Sequence, residues 1–90
     1  MKSQVRSIRE RLAHVKFEVS KQEIKIIDLE DSIEEKRKQN DRIVEAQQTL
    51  SPDNQFYLED MIIQLSIERL ILSKLEHHIR FLMEDLERNK

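Results

Sequence analysis

The sequence predicts an all-α fold: two long helices forming an antiparallel helical hairpin, a coiled coil expected to dimerise into a four-helix bundle. Three observations predict it. The 90 residues include no Gly and one Pro, so few tight reversals of the chain are available. Charged and hydrophobic residues are equally abundant, at 38% each, a balance found in long helices and coiled coils. Apolar residues also recur at heptad spacing on both sides of the single proline. The whole chain is expected to be one domain.

The first helix is expected over about residues 3–49. With Val5 as position a, the a series is Val5, Leu12, Val19, Ile26, Ile33, Asn40, Gln47. The d series is Ile8, Val15, Gln22, Leu29, Lys36, Ile43, Leu50. Ten of these fourteen positions are apolar, and their spacing keeps one seam turned toward a partner helix.

The second helix is expected over about residues 52–88, after a turn at about 50–53. Ser51 suits an N-cap, Pro52 suits the first helical position, and Asp53 meets the positive end of the helix dipole. A proline inside one continuous helix would cost about 3 kcal/mol, which disfavours a kinked rod. The second heptad has Leu58, Leu65, Leu72, Ile79 and Leu86 at a, and Met61, Glu68, Leu75 and Leu82 at d. At about 1.5 Å per residue the helices would run roughly 70 Å and 55 Å, so the N-terminal turns of the first should overhang.

Polar residues interrupt the seam. Lys36, Asn40 and Glu68 are candidates for setting register, since a polar layer specifies alignment at some loss of stability. Two registers fit the expected turn. One places Lys36 opposite Leu65 and Ile33 opposite Glu68; the other places Asn40 opposite Glu68 and Ile43 opposite Leu65.

A second set of apolar residues lies off the seam. In the first helix Phe17, Ile24 and Ile27, with Ala13, occupy b and f positions. In the second, Phe56, Ile63, Ile67, Leu70 and Phe81 form a c/f stripe, while Ile62, Ile71 and Met83 widen the seam. A lone hairpin would leave this surface in water, and patches of that kind mark interfaces. The expected partner is the chain itself, as a homodimer, or another helical protein.

Chemistry is not expected. Without Cys there is no thiolate metal site or thiol nucleophile, and without Gly there is no phosphate loop. The histidines are His14, His77 and His78; adjacent His77 and His78 point about 100° apart and cannot readily share a metal. Helical chorismate mutases gather several Arg and Lys inside a bundle, whereas the inward positions here offer only Lys36. No enzyme activity, metal or cofactor is therefore expected.

Nucleic acid is an unfavoured partner. Residues 1–20 hold five basic side chains, among them Lys2, Arg6, Arg9, Arg11 and Lys16, but no interleaved aromatics, and the chain carries a net charge of −2. No apolar run is long enough to span a bilayer. Lack of Cys and of an N-terminal apolar segment points to a cytoplasmic location.

In shape alone, a helical hairpin with one Pro-containing turn resembles small secretion chaperones, stalk proteins of export ATPases and plasmid copy-number regulators; no motif carries residues over from them. The functional expectation is a protein–protein interaction module, a scaffold or adaptor acting through self-association. The alternatives are a small chaperone burying its second stripe against a different protein, and a nucleic-acid accessory protein using the basic overhang.

Overall fold

The computed structural model describes residues 2–89, leaving Met1 and Lys90 outside the described residues. It is an all-α helical hairpin: α1 spans Lys2–Glu45, α2 spans Pro52–Arg88, and the two pack against each other with no strand among the described residues. Among the described residues no helix is long and apolar enough to cross a membrane.

α1 stops at Glu45, short of the expected Thr49, and the connection is 46–51 rather than 50–53. The cause is local hydrogen bonding. Gln47 adopts φ 59°, the left-handed region that most residues avoid. There its N–H donates to the Val44 carbonyl at 2.9 Å, and the Gln48 N–H donates to the Ile43 carbonyl at 3.1 Å. These two bonds are the Schellman termination, which satisfies carbonyls at a helix end and usually places Gly at the left-handed position. A chain without Gly gives no compositional warning of it.

α2 begins on a side-chain cap. The Asn54 N–H donates to Ser51 Oγ at 3.3 Å, and the Gln55 N–H donates to the Ser51 carbonyl at 3.2 Å. Pro52 fills the first helical position, where its missing N–H has no partner to lose, and Asp53 lies in the first turn.

The chain divides into two compact units, residues 1–24 with 70–90, and residues 25–69. In the first unit Ile8, Val15 and Leu82 are buried, and Leu12, Leu75, Ile79 and Leu86 pack partly buried against them. Leu82 is 2% exposed. Gln4, Ser7, Ile8 and Arg11 of α1 share a recess with Asp85 and Asn89 of α2. The early turns of α1 therefore lie against the last turns of α2, and from Gln4 onward the expected overhang is not there.

In the second unit Ile26, Ile33 and Leu65 are buried, with Leu29, Ile43, Leu50, Leu58 and Met61 half-buried. Neither expected register is found. Lys36 lies beside Asn54 and Tyr57 rather than Leu65, and Glu68 lies beside Lys25 rather than opposite Ile33 or Asn40. The alignment is displaced by about one heptad from the tighter of the two. Early termination of α1 explains it: the chain turns back sooner, so each α1 residue meets a residue nearer the start of α2. The same displacement brings the N-terminal turns of α1 into contact with α2.

Candidate interaction surface

The three polar seam residues expected to set register each have a different local environment. Glu68 is 2% exposed. Its Oε1 accepts from Gln64 Nε2 at 2.7 Å and lies 3.3 Å from Lys25 Nζ. A buried carboxylate needs donors and a counter-charge, and α2 itself supplies one donor while α1 supplies the cation. Lys36 is half-buried: its ammonium donates to Asn54 Oδ1 at 2.7 Å and sits 5.3 Å from the centre of the Tyr57 ring. Its aliphatic stem lies in the seam and its charge reaches a polar, aromatic rim.

Asn40 differs from both. It is 5% exposed, and neither Oδ1 nor Nδ2 has a hydrogen-bond partner. Lys25, Gln64, Asn54 and Tyr57 were not singled out by the sequence pattern as partners of these groups. Cross-helix pairs depend on register, and heptad spacing alone leaves register open.

Outside the seam, large apolar side chains stand in water. Phe17, Ile24, Ile27, Phe56, Ile63, Leu70 and Phe81 are between 54% and 61% exposed, and Ile67 is 46% exposed. Val44 and Tyr57, which the sequence pattern did not nominate, are equally exposed at 58%. By contrast Leu12, Val19, Leu29, Ile43, Leu58, Leu72, Leu75, Ile79 and Leu86 are half-buried in the seam, alongside buried Val15, Ile26, Ile33, Leu65 and Leu82.

Cross-helix pairs mark the two sides of the seam in the second unit. Glu30 Oε1 and Arg69 Nη2, both at e positions, are 3.6 Å apart on one side. Lys25 and Glu68 meet on the other side, where a recess is shared by Lys25, Ser32 and Gln64 at g positions. Ile27, at b, belongs to the Glu30 side, and Ile67, at c, belongs to the Lys25 side. Positions b, c and f all lie far from the a/d seam, so each helix turns its stripe away from the other helix. In the first unit the same holds for Phe17 and Ile24 on α1 against Leu70 and Phe81 on α2. The stripes are two surfaces, not one.

The basic side chains of Arg6, Arg9, Arg11 and Lys16 are exposed. Arg6 Nε lies 3.4 Å from Glu10 Oε1, with both side chains largely exposed. The Lys2 side chain lies outside the described residues. Among the described residues no three His, Asp or Glu side chains cluster as metal ligands would. Near Lys36 and Tyr57 a recess of about 480 Å³ is lined also by Asp31, Ser32, Glu35, Gln39 and Met61. No family model, curated protein or solved structure matches the chain.

Proposed function

We propose that this chain is a non-enzymatic protein–protein interaction module, a coiled-coil hairpin that self-associates into a four-helix bundle and serves as scaffold or adaptor. One observation carries the reading: a largely apolar seam between the helices coexists with exposed Phe, Ile and Leu stripes on the outer faces of both helices. The chain leaves 7180 Å² in water, whereas a globular monomer of its 10.9 kDa exposes about 5,600 Å². The difference, roughly 1,600 Å², exceeds the ~800 Å² that one partner contributes to a standard stable interface. A second copy is the simplest source of cover, because two-fold dimers are the commonest oligomers.

A second reading, a small chaperone or adaptor, is supported by the division of the stripes. A two-fold contact through one helix leaves the stripe of the other in water, free for a different helical protein. Sedimentation velocity of the pure chain over a range of concentrations tests the self-association. A species of twice the chain mass is expected. A soluble monomer at every concentration would sink it and leave the second reading.

A further inference from the structure

We propose that the self-association surface is the outer face of α2, where a second copy of this chain docks antiparallel about a two-fold axis beside Ile67. The proposal rests on the self-association reading and adds to it a face, an orientation and a register.

Along the single helix α2, Ile63, Ile67 and Leu70 form an exposed apolar centre at f, c and f positions. One heptad before Ile67 stands Asp60; one heptad after it stands Lys74. Both are exposed, and among the described residues neither takes part in an ion pair or side-chain hydrogen bond within the chain. An antiparallel two-fold at Ile67 sets Ile67 against its own copy and Ile63 against Leu70 of the second copy. The same operation brings Asp60 against Lys74 of the second copy, and Lys74 against its Asp60. The face is thus complementary to itself, as an isologous interface requires.

Charge selects the direction. Parallel docking of the same face would put Asp60 on Asp60 and Lys74 on Lys74, and juxtaposed like charges oppose association. The stripe of α1 lacks this symmetry. Its exposed residues from Ala13 to Ile27 are bounded along the f positions by Glu10 and Asp31, both acidic, so antiparallel self-docking there would oppose acid to acid.

Charge exchange tests the proposal. Lys74→Asp makes both ends of the face acidic, and Asp60→Lys makes both ends basic. Each variant alone should dimerise more weakly, on the order of tenfold at low salt, because two attractive pairs become repulsive. Mixed, the two variants should recover affinity as a heterodimer, identified by its mass in native mass spectrometry. Both substitutions are exposed, and unchanged helicity checks that the fold survives. Since the chain has no Cys, Ile67→Cys introduces a unique thiol that should cross-link two copies under mild oxidation faster than Ile27→Cys does. If the unmodified chain dimerises but the charge variants bind as it does and fail to prefer each other, the register is wrong while self-association stands. If the unmodified chain stays monomeric, this docking face falls together with the self-association reading.

Discussion

Asn40 is the residue whose replacement tests the energetics of the seam most directly. It is 5% exposed at an a position, and neither polar atom of its amide has a hydrogen-bond partner. A buried polar group without a partner costs about 1–3 kcal/mol, because water once satisfied it and nothing in the fold does. Asn40→Leu removes that penalty and adds apolar contact, offset by up to about 1 kcal/mol if the larger side chain crowds the layer. The expected net effect is a stabilisation of about 1–2 kcal/mol, which for a chain of this size raises Tm by roughly 5–15 °C. Helicity followed through urea and thermal unfolding measures it, at one fixed protein concentration because self-association would make stability concentration-dependent. Asn40→Ala separates polarity from size, since it deletes the amide without adding volume and should be near neutral. Loss of 1 kcal/mol or more in both variants would refute the reasoning, because it would require hydrogen bonds at Asn40 that the fold does not contain. A gain in stability accompanied by mixed oligomeric masses would instead show Asn40 specifying alignment, as single buried asparagines do in other coiled coils.

Substitutions at four further sites probe the helix termini and two ion pairs. Gln47→Gly should stabilise the hairpin by about 0.5–1 kcal/mol, since φ 59° carries a steric penalty that Gly escapes, partly offset by Gly's greater freedom when unfolded; denaturant midpoints check it, and a loss would mean the Gln47 side chain itself holds the turn. Ser51→Ala removes the oxygen that accepts the Asn54 N–H, so unfolding free energy should fall by about 1 kcal/mol while Ser51→Asp retains most of it; equal losses in both would rule out capping. Lys25→Met withdraws the cation 3.3 Å from buried Glu68 and should cost about 1 kcal/mol, discounted because the ammonium is largely solvated. Arg6→Met, at an exposed pair, should change stability by less than about 0.3 kcal/mol, and equal effects at the two sites would contradict the distinction.

The interaction surface was legible in the sequence as composition but not as geometry. Phe17, Ile27, Ile63 and Leu70 fall off the a/d positions, and helical periodicity alone turns them from the seam. That the α1 and α2 stripes face apart required the sides of the seam to be known, through Glu30–Arg69 on one and Lys25–Glu68 on the other. Val44 and Tyr57 escaped notice because e and g positions border a seam, and whether a neighbour covers them depends on which residue lies opposite.

By itself the sequence determined the number of helices, the start of the second and the identity of the seam. Each follows from local physics: an apolar repeat of seven, a proline that cannot sit mid-helix, and a serine able to cap. Only the tertiary structure decided the register, and with it the partners of Glu68 and Lys36, the isolation of Asn40 and the placing of the N-terminal turns. The reason is that a heptad pattern looks the same after a shift of one heptad, so any such alignment buries Leu and Ile about equally well. The turn breaks that equivalence. Its geometry depends on Gln47 entering the left-handed region, a conformation that two backbone hydrogen bonds hold in place and that no residue type in this glycine-free chain announces.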